Sequence, residues 1–116
     1  MAVKRIVANI AAAEPGAAKA FYGDMLGLRL AMDLGWIATY AGDGEASPQI
    51  SIATEGGSGI PVPDLSVEVD NLDEVHAPAQ AAGFPIEHGP VIERWGVRRF
   101  FVRDPFGRLV NIVSHG

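Results

Sequence analysis

The chain carries the same pattern twice, and that repeat limits its fold more than any other feature. Residues 4–10, KRIVANI, alternate with the period of a strand: Ile6, Ala8 and Ile10 on one face, Arg5, Val7 and Asn9 on the other. In AAAEPGAAKAFYGDMLGL, Pro15 suits a first helical turn, Ala17, Ala18, Ala20, Phe21 and Met25 favour helix, and Gly27 suits its end. LRLAMDLG, WIATYAG and QISIAT read as strands, the first two separated by Gly35 and the last preceded by the turn-rich DGEASP. A Gly- and Pro-rich linker follows at 55–63, EGGSGIPVP, whose glycines suggest flexibility. Then the order recurs. DLSVEVD alternates, and NLDEVHAPAQAAG is helical, with Asp70 or Asn71 as N-cap, Pro78 as a kink and Gly83 as the stop. FPIEHGPVIE, VRRFFVR and RLVNIV are three further strands. A glycine followed by an apolar residue closes both helices, Gly27-Leu28 and Gly83-Phe84. Each half therefore reads β-α-β-β-β. Neither half can bury a helix against a sheet alone, so modules 1–57 and 64–116 should pair within one α+β domain.

The 116 residues are 48 % apolar and 20 % charged, the mix of a single globular domain. No cysteine is present, which excludes disulfides, thiolate zinc sites and cysteine nucleophiles. A net charge of −5 argues against a nucleic-acid partner, which would require a basic face. No apolar run approaches the length of a membrane span, and MAVKRIVANI lacks the apolar core of a signal peptide. The expectation is a cytoplasmic protein with no membrane partner. GDGEAS and EGGSG lack the context and the lysine of a phosphate-binding loop, and no Ser-His-Asp arrangement is visible.

The chemistry should lie on the polar faces of the strands. If Ile6, Ala8 and Ile10 pack under the helices, Arg5, Val7 and Asn9 face the other way. By the same alternation Asp64, Ser66 and Glu68 oppose Leu65, Val67 and Val69, Gln49 and Ser51 oppose Ile50 and Ile52, and Asn111 opposes Val110 and Ile112. A purely apolar core is not built this way, because buried polar groups need partners. Either these residues satisfy one another, with Arg5 paired to Asp64 or Glu68, or they line a pocket for a small molecule. Trp36 and Tyr40 on one strand face, with Trp95, Phe101 and Phe106, are candidate walls, whereas Phe21 and Phe100 read as core. Acidic residues beside tryptophan suit a cationic or aromatic ligand; Arg94, Arg98 and Arg99 argue for an anionic one. Alternation lets only one of Arg98 and Arg99 face the pocket. His76, His88 and His115 share no ligand spacing and read as surface histidines.

AKAFYGDMLGL, VDNLDEVHAPAQAAGF, Trp95-Gly96 and FVRDPFGRLVNI, in this order, resemble the vicinal oxygen chelate superfamily. The last stretch resembles its F-x-D-P-x-G-x-x-x-E hairpin. Glyoxalase I, extradiol dioxygenases, fosfomycin-resistance enzymes and bleomycin-resistance binding proteins share that fold. The resemblance implies two βαβββ modules whose mixed sheets curl around a cavity, in a homodimer. It also implies where a metal would sit, at the first and last strands of each module. Those positions are Arg5, Ser51 (or Ile52 in the neighbouring register), Asp64 and Asn111, the last in place of the family's Glu. Arginine cannot ligate normally, and Ser and Asn are weak donors, so no metal or cofactor is expected. The expectation is a metal-independent binder of a small molecule, resembling the bleomycin-resistance type. Its ligand-binding residues would be Arg5, Asn9, Trp36, Gln49, Ser51, Asp64, Ser66, Glu68, Trp95, Arg99, Phe101 and Asn111. The alternative is an enzyme, a lyase, isomerase or glyoxalase/dioxygenase-like protein, using cavity carboxylates or a non-standard metal site. Asp64 or Glu68 would then be the general base, with Arg5 stabilising an oxyanion. A third possibility is a dimeric subunit whose cavity is filled by its own side chains.

Overall fold

The structure, a computed structural model, describes residues 1–44 and 47–115, so two positions of the expected DGEASP turn, Glu45 and Ala46, lie outside the described residues. The elements run β1 (Val3–Ala11), a helical segment of a 3-10 turn (Pro15–Ala18) and a π-helical stretch (Lys19–Met25), β2 (Arg29–Asp33), β3 (Ile37–Ala41), β4 (Gln49–Ala53), β5 (Leu65–Val69), α1 (Asp73–Ala81), β6 (Ile86–Ile92), β7 (Arg98–Arg103) and β8 (Leu109–Ser114). This is the β-α-β-β-β order, twice, in an α+β fold. No helix among the described residues is long and apolar enough to cross a membrane.

Two compact units form, Val7–Val62 and, separately, Met1–Ile6 with Pro63–Gly116. The division falls inside β1 rather than at the linker. Its cause is local: Asp70 donates its N–H to the Ala2 carbonyl and accepts the Ala2 N–H on Oδ1 at 2.8 Å, tying the N-terminus to the end of β5. In the first unit β4 runs parallel to β1 and antiparallel to β3, which pairs with β2. In the second, β5 and β8 are parallel, and β8–β7 and β7–β6 antiparallel. The last strand of each module thus lies beside its first.

Each unit has its own core on the helix-covered face of its sheet. Ala38, Tyr40 and Ile52 pack with Ala12, Ala18, Tyr22, Leu28 and Ile50. Val69, Leu72, Phe100, Val110 and Ile112 pack with Val67, Val75, Ala79, Ile86 and Val102. Four expectations need correcting. The helix of the first module is not α-helical. Its bonds include Leu26 N–H to the Phe21 carbonyl, an i to i−5 pattern, and Gly16 and Gly23 with no capping side chain leave regular α geometry unfavoured. Ile6, Ala8 and Ile10 do not pack under it: Ile6 is 59 % and Ile10 39 % exposed, because the helical segment covers β3 and β4 instead. The linker at 55–63 is a compact turn. Gly56 and Gly57 are buried, Gly56 N–H meets the Ile60 carbonyl at 2.6 Å, and Gly59 N–H meets Glu55 Oε1 at 2.8 Å. A Cβ at Gly56 would stand 2.2 Å from the Pro61 carbonyl oxygen, so only glycine fits there. Pro78 is accommodated inside α1, while Leu72 takes the cap position and Asn71 Oδ1 accepts the Glu74 N–H at 3.4 Å.

Phe100 is fully buried at the centre of the second core. Phe100→Ala is expected to cost about 3–5 kcal/mol of unfolding free energy, read by urea denaturation.

Candidate functional site

The register of the second unit lays its polar residues out in rows. Ser66 pairs with Asn111, Asn111 with Phe101, and Phe101 with His88. One step along, Glu68 pairs with Val113, Val113 with Arg99, and Arg99 with Val91. Strand residues two apart share a face, so Ser66, Glu68, Asn111, Val113, Arg99 and Phe101 lie opposite the core residues Val67, Phe100, Val110 and Ile112. β6 joins these rows through two register shifts, between Ile86 and His88 and between His88 and Val91.

Two carboxylates here are bracketed in the same way, each by one arginine and one histidine. Glu68 takes Arg5 Nε at 2.9 Å on one oxygen and His115 Nδ1 at 2.5 Å on the other. Glu93, just after β6, takes Arg99 Nε at 2.7 Å, Arg99 Nη2, and His88 Nε2 at 3.2 Å. Arg99 is only 3 % exposed, and its guanidinium lies 4.7 Å from the Phe101 ring centre and 4.9 Å from that of Trp95. Burial pulls the Arg99 pKa below the usual arginine value, and the Glu93 carboxylate opposes that pull. Charges this deep persist only because they are paired. Arg98 faces the other way, its Nη2 bonded to Asp73 Oδ1 of α1 at 2.8 Å. That pair holds the Asp73 carboxyl below the usual carboxylate range.

Asn111 lies in the neighbouring row, between Ser66 and Phe101. Its Nδ2 donates to Ser66 Oγ at 3.1 Å. Its Oδ1 has no hydrogen-bond partner among the described residues, although the residue is only 8 % exposed. A buried acceptor left unsatisfied costs about 1–3 kcal/mol, so stability does not explain this carboxamide.

Other residues singled out from the sequence are dispersed. Asp64 precedes β5, is exposed, and accepts the Leu109 N–H on Oδ2 at 3.1 Å; the Arg5 ion pair goes to Glu68 instead. In the first unit Asn9, Ser51 and Thr39 form a row of their own, with Ser51 and Thr39 hydroxyls bonded at 2.7 Å and both buried. Gln49 is half-buried at the start of β4. Trp36 is half-buried before β3, its carbonyl taking the Thr54 N–H at 2.8 Å. Tyr40 walls no pocket: it is in the core against Tyr22. Phe106 is 85 % exposed in the β7–β8 turn. Of the histidines expected at the surface, His115 is exposed, whereas His76 and His88 are half-buried. His76 packs edge-on against Phe100 and His88 against Phe101, and His115 reaches Glu68. Glu93 was not singled out, because its contacts cross a turn and leave no periodic signal.

The metal positions implied by the resemblance do not fit a divalent ion. Arg5 is a cation already in an ion pair, the Ser51 hydroxyl is bonded to Thr39, and Asn111 offers a neutral amide. Among the described residues no three His, Asp or Glu side chains gather as such a site requires.

Two βαβββ modules, each closed by a parallel first and last strand, define the class of fold. The chain belongs to the Glyoxalase/Bleomycin resistance protein/Dioxygenase superfamily, whose family model matches residues 5–112. No curated protein matches the sequence. Among solved structures it is similar to an NAD-dependent benzaldehyde dehydrogenase from Legionella pneumophila, with 16 % identity, a TM-score of 0.75, and coverage of 95 % of this chain and 98 % of that one. A methylmalonyl-CoA epimerase from Mycobacterium tuberculosis gives 17 % identity and a TM-score of 0.65 over 98 % of this chain and 87 % of that one. A Mn(II)-bound glyoxalase from Novosphingobium aromaticivorans gives 18 % and 0.65, over 97 % of this chain and 38 % of that one. At these identities the likeness is one of fold.

Glu93→Gln removes the charge opposite buried Arg99. It is expected to cost about 3–5 kcal/mol in chemical denaturation, and Arg99→Met/Glu93→Leu together are expected to recover most of that.

Proposed function

We propose that this chain binds a small organic molecule against the polar face of β5, β8 and β7, without a divalent metal ion. The observation that carries this reading is the buried, unsatisfied Asn111 Oδ1, flanked by Ser66 and Phe101 in its row. A protein gains nothing in stability from such a group, and binding sites are where local rules are broken. The donor chemistry at Arg5, Ser51, Asp64 and Asn111 supports the absence of a metal. Protein purified from metal-supplemented medium is expected to retain no stoichiometric Mn, Fe, Ni or Zn by elemental analysis. One ion held per chain would overturn the metal-independent part.

The pairing of Glu68 with His115 beside Arg5 supports a second reading, a proton-transfer enzyme. Glu68 is the base, its direction fixed by the two donors, and Arg5 is the cation nearest a developing oxyanion. Asp64 is a poorer candidate, exposed and committed to the Leu109 N–H. Under this reading turnover follows a bell-shaped pH profile that Glu68→Gln abolishes. Unchanged turnover in Glu68→Gln removes it.

A further inference from the structure

Resting on the binding reading above, we infer that the ligand is an uncharged molecule that presents an N–H or O–H donor to Asn111 Oδ1. The charged groups of this face cancel in pairs: Arg5 against Glu68 and Arg99 against Glu93. A cationic ligand would have to take a carboxylate from its arginine. An anionic ligand would have to take an arginine from its carboxylate. For the buried Arg99–Glu93 pair either exchange strands a charge, which costs more than a new ion pair returns. The imidazoles of His88 and His115 are already directed at those same carboxylates.

Asn111 differs from these groups. Its Nδ2 is used on Ser66, and its Oδ1 is a buried acceptor with no partner among the described residues. An acceptor in that state selects a donor, because a ligand lacking one leaves the desolvated oxygen unsatisfied. Its neighbours on the same face, Val113 and Phe101, are apolar and buried, which favours an uncharged ligand body over an ionic one. The ligand chemistry is therefore that of a neutral amide or alcohol. Carboxylates beside tryptophan suit a cation, but on this face Glu68 and Glu93 are each matched by an arginine.

Four probes with one ring and different polar groups test this: benzamide, benzyl alcohol, benzoate and benzylammonium. Each is titrated into ¹⁵N-labelled protein at about pH 8, above the ordinary histidine range. The neutral pair is expected to shift the Asn111 side-chain amide and the Ser66 amide, and the charged pair to leave both unmoved at equal concentration. Benzoate or benzylammonium binding at Asn111 as well as benzamide does would overturn the inferred ligand class while leaving the binding reading intact. If no probe moves Ser66, Glu68, Arg99 or Asn111, the binding reading itself fails. Asn111→Leu keeps the branched shape and removes the unsatisfied oxygen. It is expected to raise the melting temperature by about 4–8 °C and to abolish the benzamide shift at Ser66. Retention of that shift in Asn111→Leu counts against the proposal. Should that variant not fold, Asn111→Asp decides: preference moving from benzamide to benzylammonium supports the inference, and an unchanged preference for benzamide overturns it.

Discussion

The second unit depends on how its first and last strands are joined. Asp64 N–H donates to the Leu109 carbonyl at 2.8 Å, and its carboxylate takes the Leu109 N–H back. These two bonds clamp the starts of β5 and β8 side by side and fix their register. Register is decisive because a slip of one residue turns every side chain to the opposite face. With this register Ser66 meets Asn111, 45 residues away, and Glu68 meets His115, 47 residues away. Asp64 is therefore best understood as the residue that aligns the face rather than as part of its chemistry.

The two units treat the same positions differently. In the first, Asn9, Ser51 and Thr39 fill the row beside the parallel strands, and the two hydroxyls satisfy each other. In the second, the equivalent row holds Ser66, Asn111 and Phe101, and one amide oxygen has no partner among the described residues. In the first row the Ser51 and Thr39 hydroxyls pair with each other, whereas in the second the Asn111 oxygen has no partner among the described residues. The repeat gives both units the same scaffold, and the residues in this row make the two differ.

The repeat, the strand order and the family were legible because they rest on periodicity and on glycine punctuation at Gly27 and Gly83. The choice between Arg98 and Arg99 was not, since alternation fixes that they differ but not which faces the core; the packing of Phe100 decides it. The exposure of Ile6 and Ile10 was hidden because a strand's pattern does not say which neighbour its helix covers. The bracket on Glu93 was hidden for another reason: an acid, an arginine and a histidine gathered across a turn and a bulge have no fixed spacing. Asn111 stood out in the sequence as a polar residue in an apolar run. That its oxygen has no partner among the described residues depends on the fold, which turns the nitrogen to Ser66.

If the face binds a ligand as proposed, the bracketed carboxylates have a consequence for how that ligand arrives. A chain with net charge −5 projects a negative field into solution. The face around Asn111 instead presents opposed charges a few ångströms apart, and the field of such pairs dies away faster than that of a single ion. Counter-ions at physiological strength screen what is left within about 8 Å. The pairs on this face therefore add little steering of their own to that of the chain's net charge. Under the proposed reading discrimination would begin at contact, with the hydrogen bond that a ligand donates to Asn111 Oδ1.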